Sequence, residues 1–180
     1  MDRFLLRWDE RMTESENGFR KAMSLRPAGV TVVTTRDRDG DPRGLTATAV
    51  CSVSLAPPMI LVCIDRTAEC YEAFQEAEAF AVNLLRHDQE ALSRRFSQKD
   101  SRKFEGIPHR PGLTGSPILT DVLAHMECRI HARYPGGDHT IVLGEVVSTG
   151  VAPLDEIESP LLHFQGGYTR LIGLPSADAS

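Results

Sequence analysis

Two long runs of β-type sequence, residues 122–134 and 139–151, flank Pro135-Gly136-Gly137-Asp138, and no other feature limits the fold of this chain so tightly. Turn residues between runs of that length specify a long antiparallel hairpin. In the first run Val122, Ala124, Met126, Cys128 and Ile130 share one parity; Leu123, His125, Glu127, Arg129, His131 and Arg133 share the other. Alternate residues of a strand point to opposite faces, so the apolar set is expected to face a core. With no internal repeat and no linker, the pattern predicts a closed or nearly closed antiparallel barrel with helices at its ends.

The rest of the chain fits that scheme. Residues 28–35 are β-rich, and the cluster Asp37-Arg38-Asp39-Gly40-Asp41-Pro42 turns them back onto a further strand. Residues 59–64 form a continuous apolar run of the kind found in a strand buried on both faces, and residues 79–85 return as another strand. Three short helices are expected. Residues 17–25 carry Phe19, Ala22 and Met23 on one side and stop at Pro27; Thr67 can cap a helix to residue 76, and Asp88 one through Phe96. Residues 97–120 are rich in Gly, Pro and charge, which suits a lid or a partner contact. Residues 1–16 read as a flexible extension, 17–174 as one domain and 175–180 as a tail.

A chain of 180 residues is long enough to bury a sizeable core. A formal charge of −5 without a long basic run argues against nucleic acid as the principal partner. No apolar run reaches membrane-spanning length, and the opening Met1-Asp2-Arg3-Phe4-Leu5-Leu6-Arg7-Trp8 is too short and charged for a signal peptide, so a cytoplasmic location is expected. Cys51, Cys63, Cys70 and Cys128 lack Cys-x-x-Cys spacing and read as small buried hydrophobes. No two glycines stand two residues apart, no Gly-Lys pair occurs, no two histidines are four residues apart, and no Gly-x-Ser-x-Gly is present. Rossmann, P-loop, zinc-protease and serine-hydrolase chemistries are thereby disfavoured.

Residues 44–58 alternate hydroxyls with small apolar groups. On one strand Thr46, Thr48, Ser52 and Ser54 would share a face, with Leu45, Ala47, Ala49, Cys51, Val53 and Leu55 on the other. An ordinary half-buried strand has this pattern. So does a wall for a flat, polar, phosphorylated cofactor, which needs little side-chain bulk, hydroxyl groups and accessible backbone N–H groups.

This segment, followed by Met59-Ile60-Leu61-Val62-Cys63-Ile64-Asp65 and later by Gly137-Asp138-His139, resembles the flavin reductase-like family over roughly residues 19–173. The resemblance implies a mainly β fold with peripheral helices, an antiparallel Greek-key split β-barrel of the FMN-binding type. It implies an NAD(P)H:flavin oxidoreductase that passes hydride from NADH or NADPH to FMN or FAD, works as a homodimer and supplies reduced flavin to a separate monooxygenase. Thr46, Ala47, Thr48, Ala49, Ser52, Val53 and Ser54 then become flavin contacts, with Asp65 and Arg66 near the ribityl phosphate or its adenylate extension. Asn83, Lys103 and Phe104 match further family positions, Lys103 as a phosphate contact. His139 would lie on the nicotinamide side. Since the cofactors carry the chemistry, it is a positioning residue, and no catalytic acid or base is obligatory. Tyr168, in Phe164-Gln165-Gly166-Gly167-Tyr168, is a candidate flavin-edge contact, although Gly-Gly-Tyr replaces the family's Gly-Arg-aromatic order. Phe4, Leu5, Leu6 and Trp8 could help to bury a dimer contact. Two other readings stand beside this one: a flavin-binding redox protein of the same fold with a protein or metal-complex acceptor, and an accessory β-barrel without a redox cofactor.

Overall fold

A computed structural model describes residues 13–153 and 159–173. Helix α1 (Glu14–Ser24) begins three residues earlier than the apolar spacing suggests, because Thr13 and Glu16 form a reciprocal capping box that satisfies two N-terminal backbone donors. A two-residue strand β1 (Ala28–Gly29) leads into β2 (Thr31–Arg36), and the turn at Asp37 returns the chain as β3 (Pro42–Ala47). Then follow β4 (Val50–Leu55), β5 (Pro58–Asp65), α2 (Tyr71–Glu76), β6 (Ala79–Leu84) and α3 (Glu90–Phe96). After them come the short pair β7 (His109–Pro111) and β8 (Pro117–Leu119), the long hairpin β9 (Ala124–Gly136) and β10 (His139–Val151), and the small strands β11 (Leu162–Phe164) and β12 (Gly167–Thr169).

The long hairpin organises the main sheet as its sequence requires, with Gly137 supplying the left-handed residue of the turn at φ 71°. Seven strands pair antiparallel in the order β3-β2-β6-β9-β10-β5-β4. Strands β3 and β4 are neighbours in sequence yet occupy opposite edges of this sheet, so Thr48 and Ala49 carry the chain across the gap between them. The Cys63 N–H donates to the Ala49 carbonyl at 3.0 Å on the far side. The barrel is therefore split rather than closed by hydrogen bonds. The single hydroxyl-rich strand expected over residues 44–58 is two strands with this crossing in the middle.

Side chains alternate between two cores. Val33, Leu45, Ile60, Val62, Phe80 and Val142 fill the barrel interior, while Val32, Leu85, Phe96, Phe104 and Leu119 fill a layer between the outer barrel wall and α3 with the following segment. Gly44 suits this packing: a Cβ there would lie 3.0 Å from the Val33 carbonyl and 3.1 Å from the Phe96 ring, tight enough that its neighbours would have to give by a few tenths of an ångström.

Several expectations need correction. Strand β5 is not buried on both faces: Ile60, Val62 and Ile64 are buried, whereas Met59, Leu61 and Cys63 are half-buried. Thr67 and Asp88 do not cap helices, since α2 starts at Tyr71 and α3 at Glu90, each after a turn. Cys70 and Cys128 are buried, with thiols pushed up by desolvation to about 11 and about 12, but Cys63 is half-buried and Cys51 exposed at the sheet edge. Glu127, on the polar parity of β9, is buried. Phe4, Leu5, Leu6 and Trp8 lie outside the described residues, as do residues 175–180.

Candidate functional site

The break at Thr48 and Ala49 redistributes the hydroxyls. In β3, Leu45 and Ala47 face the barrel interior, and Thr46 faces the helical layer, where its Oγ1 donates to the Ser93 carbonyl at 2.6 Å. In β4, Ser52 pairs with Ile60 and Val50 with Val62, so both share the inward side. A bulge at Val53 then shifts the register so that Ser54 pairs with Met59. Thr46, Ser52 and Ser54 consequently do not share one face.

What the run 48–55 does retain is openness. Residues 51–55 are all exposed, Leu55 to 89%, and among the described residues the hydroxyls of Thr48, Ser52 and Ser54 make no hydrogen bond. Strand β4 is also a sheet edge, which leaves part of its backbone N–H and C=O groups unpaired. Behind Thr48 and Val50 opens a cavity of about 260 Å³, walled by Val30, Leu84, Leu85, Met126 and Leu161, with Thr31 and Arg26 adding polar groups. A mostly apolar pocket with few polar groups at one wall is the usual form of a site for a planar ligand. Small side chains, free hydroxyls and open edge backbone fit a flavin ring.

The remaining candidates fall into two neighbourhoods beside this run. At the corner of β5 and β10, Asp65 pairs in register with His139, and the Arg66 N–H donates to the Asp138 carbonyl at 3.1 Å. His139 Nδ1 lies 2.7 Å from Asp138 Oδ1, a bond that favours the ionised form and holds the Asp138 carboxyl below its ordinary range. Asp65 is likewise held low, chiefly by the Thr67 backbone N–H at 2.7 Å. The Arg66 guanidinium has no partner among the described residues and is exposed. This corner thus offers one free cation and an imidazole oriented by its neighbour.

On the α3 side, Ser93 Oγ and the Tyr168 hydroxyl lie 2.8 Å apart, and the Arg94 guanidinium sits 5.0 Å above the Tyr168 ring. Tyr168 is therefore tied to the helix that also receives Thr46. Tyr168→Phe removes one such bond and is expected to cost about 0.5 to 1.5 kcal/mol in urea unfolding.

Lys103 is 4% exposed, and its Nζ donates to the Gly44 carbonyl at 3.1 Å with Glu69 Oε2 at 3.9 Å. Arg43 extends this network, donating to Asp37 and to the Ser101 carbonyl and standing 3.7 Å from Glu69. Residues 98–104 are accordingly pinned onto β3, and Lys103 acts as a tether there rather than as an exposed phosphate contact. Phe104 is buried edge-on against Phe96 at 4.9 Å. Asn83 is 0% exposed, and its amide is spent within the protein: Nδ2 donates to the Val32 carbonyl and to Thr34 Oγ1, and Oδ1 accepts from the Leu119 N–H at 2.9 Å. It fastens β8 to the outer wall, away from any open surface. Ala47 is buried in the barrel interior and Ala49 is exposed at the crossing.

Sequence reasoning missed Ser93 and Glu69, the partners of Tyr168 and Lys103. A serine inside a helix and a glutamate in a charged turn carry no pattern that would have singled them out. Among the described residues no cluster of His, Cys, Asp and Glu could hold a metal ion.

Comparison with known proteins identifies the family and relatives of this chain. The family model described as "Flavin reductase like domain" matches residues 23–171. The flavin reductase (NADH) of Kitasatospora aureofaciens is 46% identical over 154 residues, covering 84% of this chain and 80% of that protein. The reductase subunit of a flavin-dependent monooxygenase from Rhodococcus jostii is 39% identical over 155 residues, covering 85% and 76%. An NADH:FAD oxidoreductase of Streptomyces globisporus, solved with NAD and FAD fragments, superposes with a TM-score of 0.80 at 35% identity over 91% of this chain and 95% of that one.

Proposed function

This chain belongs to the flavin reductase-like domain family, and we propose from its own residues how it carries out the reduction. It is an NAD(P)H-dependent flavin reductase of the kind that serves two-component monooxygenases. When bound, the flavin accepts a hydride from the nicotinamide, and the protein's task is to bring the two rings together.

The observation that carries the reading is the cavity behind Thr48 and Val50, opening beside an edge strand whose hydroxyls have no partner among the described residues. Val50 and the cavity's apolar wall exclude water from one side of the ring, while Thr48 at the cavity and Ser52 on the inward side of β4 offer hydrogen bonds to its polar edge; Ser54, past the bulge, serves the part of the cofactor outside the cavity. Arg66, directly after β5, has no partner among the described residues and serves a phosphate; Asp65 sets the turn that presents it through the Thr67 N–H. Thr46 and Tyr168 act through Ser93, holding α3 against β3. Steady-state NADH oxidation with FMN, FAD and riboflavin supplied in turn tests the reading, which fails if none of them supports turnover.

His139 positions the nicotinamide, its ring held by Asp138. His139→Ala is expected to lower kcat/KM for NADH roughly a few-fold to tenfold, with flavin affinity and melting temperature nearly unchanged. A lower melting temperature with wild-type kinetics would reduce His139 to a brace for the turn.

The protein works as a cytoplasmic homodimer. In support, no residue of α1 is buried within one chain, although Phe19 and Met23 make an apolar stripe on it. No described helix is long and apolar enough to cross a membrane. Light scattering that reports a monomer at micromolar concentration would remove the dimer.

A further inference from the structure

Among the described residues that line the 260 Å³ cavity behind Thr48, Arg26 alone is charged. Thr31 and Thr48 bring hydroxyls, but the Thr31 Oγ1 is spent on the Ala47 carbonyl at 2.8 Å. Every other lining residue is apolar or glycine. Arg26 and Thr48 are therefore the side chains with a polar group to give to whatever enters.

The backbone that carries Arg26 is fixed, and its side chain is not. Ser24 accepts from the Gln165 N–H at 2.8 Å, and the Arg26 N–H donates to the Met23 carbonyl at 3.1 Å, so the end of α1 is held on both sides of Leu25. Pro27 follows with a locked φ and bars the helix from continuing. The cavity floor is equally firm. Val30 donates to the Leu161 carbonyl, Leu161 to that of Leu85 and Leu85 to that of Val30, at 2.9, 2.9 and 3.1 Å. Yet the Arg26 side chain is exposed, and among the described residues its guanidinium makes no hydrogen bond or ion pair. Arg36, Arg43, Arg95 and Arg133, by contrast, all donate to carbonyl or carboxylate oxygens.

The chemistry supplies a use for one cation at an otherwise uncharged wall. Hydride transfer breaks a C–H bond of the nicotinamide and forms a bond to hydrogen on the flavin ring, moving two electrons with it. The neutral ring thereby gains one negative charge, and the nicotinamide is left with one positive charge. A fixed positive charge beside the ring stabilises that product more than the neutral starting ring, and beside apolar groups it is screened less than in water.

We propose that Arg26 is the cation that stabilises the negative charge the flavin ring acquires on reduction. The proposal rests on the flavin reductase reading for what occupies the cavity. Arg26 thus acts on the reduced ring in preference to the oxidised one. Two other uses of the same residue make different predictions: a phosphate contact would hold both redox states alike, and a cation completing the C-terminal end of α1 would act on stability alone.

Anaerobic calorimetric titration of the full-length protein with oxidised and with chemically reduced riboflavin, which has no phosphate, separates them. Arg26→Gln is expected to weaken binding of reduced riboflavin at least about tenfold and to leave oxidised riboflavin nearly unchanged. A tenfold change in that ratio makes the potential of the bound flavin about 30 mV more negative. Arg26→Lys, which keeps the charge, should restore most of the preference for the reduced state. Equal loss in both states, or no loss in either, overturns the proposal. So does a loss seen with FMN and not with riboflavin, which would give Arg26 to the phosphate, or a lower melting temperature with wild-type affinities, which would give it to α1. Wild-type protein that binds neither redox state would fell the flavin reading as well, whereas wild-type binding left unaltered in Arg26→Gln fells the role of Arg26 alone.

Discussion

Thr48→Trp is expected to lower flavin reduction by at least about 100-fold while leaving the protein folded. Thr48 is half-buried at the crossing between β3 and β4, and its side chain looks onto the 260 Å³ cavity. An indole there would fill the space assigned to the flavin ring. Overpacking a filled core costs about 1 to 3 kcal/mol, but this bulk enters an open cavity, so the melting temperature should hold. A 100-fold loss corresponds to about 2.7 kcal/mol of lost transition-state stabilisation, more than one hydrogen bond supplies, and it separates a blocked site from a lost contact. Flavin titration by fluorescence and NADH oxidation on one preparation decide the matter. Wild-type turnover in a folded Thr48→Trp protein would place the flavin elsewhere.

The same crossing marks where the sequence could be read and where it could not. Residues 122–151 were legible as a long hairpin because both runs alternate and only one turn cluster separates them, and the pairing of β9 with β10 follows. Residues 44–58 were legible as extended and hydroxyl-rich, but period 2 carries no sign of a strand that leaves one sheet edge and joins the other. That event depends on how seven strands curl, a property of the whole sheet, and it separates Thr46 from Ser52. Asn83 and Lys103 illustrate a different limit. A polar residue at a family position says only that its polar atoms need partners, and both found them inside the protein, on Leu119 and Gly44. Asp65 and His139 lie 74 residues apart in the numbering and meet because β5 and β10 pair in register. Here the resemblance supplied what local pattern could not, since Gly137-Asp138-His139 carries meaning only as a motif.

Glu127→Gln is the second large effect expected, this time on stability, with a pH dependence that identifies its cause. Glu127 is buried on β9 and holds the turn at 112–116: its Oε2 accepts from the Thr114 N–H at 2.8 Å and from the Thr114 hydroxyl at 3.0 Å. Burial pushes this carboxyl up, but the Thr114 and Leu113 backbone N–H groups and the Thr114 hydroxyl together push it further down, so in the folded protein it lies below its ordinary value. Folding therefore favours the ionised form. The contribution is fully present above the unfolded pKa, roughly 4.3, and is lost as pH falls through the lower folded value. A glutamine keeps the shape and an accepting oxygen but has no charge and no proton to gain. The variant should be about 2 kcal/mol less stable at pH 7, the worth of charge-assisted bonds over neutral ones. Urea unfolding of both proteins from pH 7 downwards is the measurement. The gap between them should stay wide to about pH 5 and narrow below roughly pH 4. A gap constant into the acid range would mean that the Glu127 charge contributes nothing to holding the turn.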